Sequence, residues 1–268
     1  MKNLLHKAIC ASVLAGNEIL KVYHSDDFEV EFKNDNSPLT KADKQANDVI
    51  NRVLFSTEIP ILSEEGREIS YEERKQWTKL WIVDPLDGTK EFIKRNGEFT
   101  VNIALVEDGC PVLGVVYVPD SKVLYYGLIG TGSFKINLGE YNIDSILELG
   151  IVKLIEMSDR LPAEVSGDVF KVVGSRSHMS KETEEYIEHL TKKHPNVEVV
   201  SAGSAIKLCL VAEGVANEYP RFAPTMEWDT AAGHAIANQA GKKVFAFGTE
   251  EELTYNRENN VNGWFLVK

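Results

Sequence analysis

Asp84-Pro85-Leu86-Asp87-Gly88-Thr89 puts two carboxylates three residues apart, directly after the apolar run Leu80-Trp81-Ile82-Val83. Pro85 keeps Asp84 extended, because a residue before proline avoids the α region. Gly88 permits a close backbone approach or an unusual dihedral, and Thr89 to Lys94 can form one or two helical turns. Exposed N–H groups at such a helix start attract phosphate, whereas the carboxylates repel it. The two features work together when divalent cations stand between them, and hard oxygen donors suit Mg²⁺ or Mn²⁺ rather than zinc or copper. On spacing alone, the stretch equally describes a turn with an aspartate N-cap.

Two further acidic positions have the same ambiguity. Glu64 and Glu65 end the extended segment Ile59–Leu62, and by themselves describe a solvated acidic pair. Asp229, in Glu227-Trp228-Asp229-Thr230, stands where a helix begins, and the helix dipole favours a carboxylate there whatever its role.

Several elements must position these groups. Apolar Leu5, Ile9, Val13 and Leu20 predict an amphipathic helix over 4–23. Asn34 to Pro38 is a turn signal. Thr40-x-x-Asp43, followed by Ala46, Ile50 and Leu54, predicts an N-capped helix. Residues 66–79 are charged and read as solvated. The strand at Leu80–Val83 is expected to stop at Asp84. An antiparallel set follows at Thr100–Val106, Gly114–Val118, Val123–Leu128 and Ser133–Ile136. Signals are mixed over 137–168, where a domain junction is expected. Strands are then predicted at 169–173, 197–200, 244–247 and 264–267, and helices at 181–193, 204–211 and 230–239. The expectation is an α/β (α+β) chain, with an N-terminal α+β domain at 1–145 and a C-terminal α/β domain at 146–268.

Bulk composition narrows the function classes. The chain has 268 residues, 43% hydrophobic and 26% charged, enough for a sizeable core. A formal net charge of -12 disfavours binding to nucleic-acid polymers. It also repels small phosphates unless cations intervene. Three widely spaced cysteines, Cys10, Cys110 and Cys209, suit small apolar positions in a reducing compartment rather than disulfides or zinc. The N-terminal apolar run is broken by His6 and Lys7, unlike a secretory signal, and no run is long enough to span a bilayer. The expected location is cytoplasmic, with weak peripheral contact at the cytoplasmic face of the inner membrane left open.

Taken together, the motifs resemble the inositol monophosphatase superfamily. The carriers are Ser63-Glu64-Glu65, Trp81 to Thr89, and Glu227 to Gly233. Within the superfamily, Lys90 to Thr100, Ser175-Arg176-Ser177-His178, Gly203 to Lys207 and Tyr219-Pro220-Arg221-Phe222 resemble the CysQ-type 3′(2′),5′-bisphosphate nucleotidases. The likeness covers almost the whole chain, except that 137–168 is longer and less regular than the family pattern.

The resemblance implies a layered αβαβα sandwich of the inositol monophosphatase and fructose-1,6-bisphosphatase type. It implies two to three Mg²⁺ ions, with Mn²⁺ as a substitute. Glu64, Asp84 and the Leu86 carbonyl would hold one ion, Asp84, Asp87 and Asp229 a second, and a looser third would lie near Glu64. Thr89, paired with Asp43, would orient and deprotonate the attacking water, with the backbone of Gly88 and Thr89 receiving the phosphate. His178, Ser204, Lys207 and Arg221 would contact a small phosphorylated nucleotide. Three of these have a plainer reading: His178 as a pre-helix residue, Lys207 and Arg221 as surface charges. The implied reaction is hydrolysis of the 3′-phosphate of adenosine 3′,5′-bisphosphate, with its sulfated relative as a further substrate. Two other functions remain open at this level: an inositol or sugar phosphatase, and a non-catalytic nucleotide- or metal-binding module. The chain is expected to act as a monomer or homodimer.

Overall fold

The computed structural model describes residues 1–25, 31–32, 38–162, 169–175 and 179–268. Helix α1 (Lys2–Tyr23) buries Leu5, Ile9 and Val13, as the spacing predicts, but Ile19 rather than Leu20 near its end, Leu20 being only partly buried. Strands β1 (Glu31–Phe32) and β2 (Pro38–Leu39) pair antiparallel, and residues 34–37 of the expected turn between them lie outside the described residues. Helix α2 (Lys41–Phe55) starts where the Thr-x-x-Asp pattern puts it, with Thr40 and Asp43 forming a reciprocal capping box.

The next elements are β3 (Ile61–Ser63), α3 (Tyr71–Arg74), β4 (Lys79–Asp87), α4 (Thr89–Ile93), β5 (Thr100–Glu107), β6 (Cys110–Val118), β7 (Val123–Leu128) and β8 (Gly132–Asn137). A 3₁₀ turn, α5 (Ile143–Glu148), α6 (Ile151–Glu156) and β9 (Asp159–Leu161) follow. These strands form one sheet in the order β3-β4-β5-β6-β7-β8-β9. Only the β3–β4 pair in it is parallel. The expected division at 145/146 falls inside α5, and β9 beyond it adds to the same sheet.

The remaining elements are β10 (Phe170–Ser175), α7 (Lys181–Lys193), β11 (Val197–Ala202), α8 (Ile206–Glu213), β12 (Tyr219–Arg221), β13 (Thr225–Met226), α9 (Glu227–Gln239), β14 (Val244–Ala246), β15 (Val261–Asn262) and β16 (Phe265–Val267). Strands β10 and β11 pair in parallel, and β12-β16-β14 form an antiparallel trio.

The contacts order these parts into layers. Helices α1 and α2 cover one face of the large sheet, and α9 crosses the other face from β4 to β8. Helix α8 packs on α9 and reaches β10, β11 and β12, while α7 covers β12 from beyond. This is the αβαβα sandwich that the resemblance implies. It also explains the apolar runs in the strands. Trp81, Val83, Val101, Ile103 and Tyr117 belong to the core under α1 and α2, and Leu80, Ile82, Ala104, Val106 and Val116 to the core under α8 and α9. With both faces dry, the usual polar alternation of an antiparallel sheet disappears.

Two expectations need correction. Strand β4 does not stop at Asp84 but runs to Asp87, with a register shift against β5 between these residues. Pro85 cannot donate to the ladder, so the strand bulges there rather than ending. Residues 66–79 are not wholly solvated either. Arg74 is buried, donating to Asn256 Oδ1 at 3.1 Å and to the Glu258 carbonyl at 3.0 Å.

Candidate metal and phosphate site

The β4 bulge builds the first wall of the site. Asp84 is buried at its start, and its Oδ1 accepts from the Leu86 N–H at 3.0 Å. Its Oδ2 is buried with no hydrogen-bond partner among the described residues. At the far end of the bulge, Asp87 accepts from Asn102 Nδ2 at 3.4 Å and from the Ala205 N–H. Asn102 is itself oriented by Thr100, whose hydroxyl donates to Oδ1 at 2.9 Å.

Asp229 arrives from the opposite direction, as the third residue of α9. Its Oδ2 accepts from the Met226 N–H at 2.8 Å, which fixes it at the helix start. Its position follows from how α9 lies on the sheet. A Cβ on Gly114 of β6 would stand 2.1 Å from the Ala232 carbonyl oxygen, so the helix backbone approaches the strand at a distance only glycine allows. One carboxylate oxygen each from Asp84, Asp87 and Asp229 therefore lies within 4.8 Å of the others.

Glu64 follows β3, and its N–H donates to the Val83 carbonyl at 3.1 Å. It is outside that trio of oxygens, yet its charge raises the pKa of all three aspartates. Asp43 faces Thr89, whose hydroxyl donates to Asp43 Oδ1 at 3.4 Å and lies 3.4 Å from the Leu86 carbonyl. The other Asp43 oxygen accepts the Thr40 N–H at 2.8 Å and the Thr40 hydroxyl at 2.5 Å. Gly88, with φ of 92°, caps α4 in the left-handed region. A Cβ there would meet the Glu98 carbonyl at 3.1 Å and Ser204 Cβ at 3.4 Å.

The last contact brings the second half of the chain to the phosphate turn. Ser204 has φ of 42°, and its Oγ is buried without a partner among the described residues. Lys207 is buried and donates from Nζ to the Ser204 carbonyl at 2.7 Å, with the Tyr219 ring centroid 5.9 Å away. Arg221 Nη2 donates to the Pro224 carbonyl at 3.2 Å, while its Nε is buried and unpartnered among the described residues. Arg221's charge is felt by both Lys207 and Asp229. His178 lies outside the described residues.

The electrostatics are those of an acidic corner short of positive charge. Burial, reinforced by Glu64, Asp87, Asp229 and Asp43, holds the Asp84 carboxyl far above the ordinary range. Asp229 is raised in the same way, by burial and by Asp87. Burial also raises Asp87, to about 6, against the pull of Lys207. Burial lowers Lys207 to about 8, and Asp87 opposes that shift. Each pair of like charges near 4 Å costs about 4 kcal/mol at an effective dielectric near 20. An orphaned buried carboxylate oxygen among oxygen-only donors is the arrangement a hard divalent cation relieves. The residues thus fit Mg²⁺.

Sequence reasoning missed the side chains that brace the site. Asn47 donates to the Glu65 carbonyl at 3.2 Å and accepts from Ser63 Oγ at 2.8 Å, gripping both neighbours of Glu64. Its signal was available: it lies one helical turn after Asp43, a polar residue on the buried face of α2. Asn102 has no comparable signal, because nothing nearby marks a buried asparagine in a strand.

Comparison with known proteins agrees with this geometry. The sequence profile of the inositol monophosphatase family matches residues 2–263. The 3′(2′),5′-bisphosphate nucleotidase CysQ of Salmonella typhimurium is 48% identical over 257 residues, 94% of each chain. The protein of the same name in Escherichia coli K12 is 46% identical over the same coverage. The crystal structure of CysQ from Bacteroides thetaiotaomicron superposes with a TM-score of 0.91 at 52% identity, covering 100% of this chain and 97% of that one. Inositol monophosphatase II of Staphylococcus aureus, at 22% identity and a TM-score of 0.72, shares the fold.

Proposed function

This chain belongs to the inositol monophosphatase family, and from that premise we propose that it is a Mg²⁺-dependent 3′(2′),5′-bisphosphate nucleotidase. The reaction is hydrolysis of the 3′-phosphate of adenosine 3′,5′-bisphosphate to AMP and inorganic phosphate, with the 3′-phosphate of its sulfated relative as a second target. The observation that carries this reading is the meeting of opposites: three aspartate oxygens within 4.8 Å of one another, with buried Lys207 close enough to lower the pKa of Asp87.

Glu64, Asp84 and the Leu86 carbonyl are assigned to one metal position, Asp84, Asp87 and Asp229 to a second, and a looser third is assigned to Glu64; Mn²⁺ satisfies the same oxygen donors. When bound, the ions neutralise the carboxylates, acidify a water and offset charge on the attacking and leaving oxygens. The chain's own groups do the rest. The Thr89 hydroxyl, backed by Asp43, orients the attacking water and passes its proton to the carboxylate. Gly88 and Thr89 offer backbone N–H groups to the phosphoryl oxygens at the start of α4. Lys207 and Arg221 take the phosphate that is not cleaved, the lysine as a point charge and the arginine as a fork. Ser204 supplies a hydroxyl beside the turn, and His178 is assigned to the adenosine. A cytoplasmic setting supplies both nucleotide and Mg²⁺; among the described residues no helix is long and apolar enough to cross a membrane.

The test is phosphate release from adenosine 3′,5′-bisphosphate and from inositol 1-phosphate, with Mg²⁺, with and without Li⁺. Strong preference for the nucleotide and inhibition by Li⁺ are expected. Preference for the inositol ester would move the chain to another branch of the family. No turnover of either ester would leave a binding module.

A further inference from the structure

The acidic corner is only as well defined as the start of α9, and that start is gripped from behind. Asn262 is buried and spends its entire side-chain amide there. Its Nδ2 lies 2.8 Å from the Met226 carbonyl, 3.0 Å from Thr230 Oγ1 and 3.1 Å from Thr225 Oγ1. Its Oδ1 accepts from Arg257 Nη2 at 2.6 Å. Arg257 extends the chain, donating from Nε to Glu227 Oε1 at 3.0 Å. Glu227 is fully buried and also accepts the N–H groups of Asn256 and Arg257, at 2.7 and 3.0 Å. The Glu227 N–H donates to the Asn260 carbonyl at 2.8 Å, and β13 pairs with β15 through Thr225↔Asn262 and Met226↔Val261.

Met226 is the pivot. Its N–H holds Asp229 Oδ2, and its carbonyl is held by Asn262. Asn262 thus holds the residues on either side of the N–H that aims the carboxylate, through the Met226 carbonyl and the Thr225 hydroxyl, and a shift of Asn262 moves Met226. We propose that Asn262, oriented by Arg257, is the positioning residue for Asp229 and sets the affinity of the corner for divalent cations. This rests on reading Asp84, Asp87 and Asp229 as metal ligands. The physical reason is general: partners behind a ligand fix its orientation, and a carboxylate free to swing must be ordered again at each binding event.

The experiment measures Mg²⁺ binding to the purified protein by calorimetry without substrate, alongside thermal melting in chelator. Asn262→Ala is expected to weaken Mg²⁺ binding by about tenfold or more, the usual cost of losing a group behind a metal ligand. Arg257→Lys keeps the charge, loses the fork, and is expected to shift affinity in the same direction by less. Ser133→Ala is the control. Ser133 Oγ donates to the Ile236 carbonyl at 2.5 Å, so this variant loosens the distal end of the same helix. It is expected to lower the melting temperature and leave Mg²⁺ affinity unchanged. The proposal is overturned if Asn262→Ala binds Mg²⁺ like the parent, or no worse than Ser133→Ala. Should Asn262→Ala fail to fold, Arg257→Lys is judged by the same criterion. Asp229→Asn separates the two readings: unchanged affinity in that variant sinks the metal assignment itself, whereas weakened affinity there with normal affinity in Asn262→Ala sinks only the positioning role.

Discussion

The acidic corner and the cationic wall beside it satisfy their charges by opposite local rules. In the corner, Asp43, Asp84 and Asp229 each accept a backbone N–H from within three residues along the chain: those of Thr40, Leu86 and Met226. The bond aims the carboxylate without cancelling its charge, and leaves one Asp84 oxygen bare. On the wall, Lys207 and Arg221 donate to backbone carbonyls three residues away, those of Ser204 and Pro224. There too the charge is aimed but not cancelled, and Arg221 Nε and Ser204 Oγ stay unpartnered among the described residues. One region stores negative charge that calls for cations. The other stores positive charge that calls for an anion. A ligand with two phosphates answers both.

The contrast is broken hardest at Asp84. Asp84→Asn is expected to lower kcat/KM by about 10³-fold, since a metal's charge stabilisation is worth several kcal/mol and each 1.36 kcal/mol is tenfold. Because it removes one charge from a crowded group, the variant should melt no lower than the parent in chelator. A clear fall in melting temperature would show that the carboxylates are not mutually repulsive there.

Thr89→Ala tests the corner's proton path. Its kcat is expected to fall by about 10²-fold with KM little changed, the lower range for losing a proton-transfer group. A change confined to KM would make Thr89 a binding group instead.

Arg221→Ala tests the wall. A charged hydrogen bond is worth about 1.5–3 kcal/mol, so KM for the bisphosphate should rise by about 10- to 100-fold. Turnover of a monophosphate ester should be unaffected. Equal losses on both substrates would place Arg221 in the chemistry rather than in the choice of substrate.

The smallest expected effect lies where opposite charges do cancel, away from both regions. His234 Nε2 and Glu252 Oε2 are 3.1 Å apart, and Lys243 pairs with the same glutamate. The hydrogen bond from His234 pulls Glu252 down to about 2. A depressed carboxyl stabilises fully above its unfolded pKa of about 4.3 and loses that contribution as pH falls toward 2. Burial lowers His234, so the unfolded chain takes up its proton first, and stability also falls as pH drops below about 6.5. Melting temperature should therefore decline from pH 7 to 4, and Glu252→Gln should flatten the acid part of that profile. An unchanged profile would remove this pair from the acid response.

Much of the corner was legible in the chain because its devices are short-range. Thr-x-x-Asp announced the capping box of α2, and Gly88 after Asp87 signalled a close backbone approach or an unusual dihedral, which the fold resolves as a left-handed N-cap of α4. The helix over 181–193 kept its predicted bounds. What failed to show depended on distant partners. Pro85 reads as a strand end, and only pairing with β5 carries β4 past it. Arg74 reads as solvated, and only Asn256 and Glu258 explain its burial. Asn262 stands in a polar C-terminal stretch with no mark of its service to α9.

By itself the sequence determined the aim of Asp43, Asp84 and Asp229, because each carboxylate and the N–H that orients it lie within one turn of the same chain, whereas Asp87 takes its partners from Asn102 and Ala205. Tertiary structure alone decided that Asp229 meets Asp84 and Asp87. That meeting requires α9 to touch β6 at Gly114 and to be anchored by Asn262, and such contacts are set by packing between segments far apart in the chain, which no local pattern encodes.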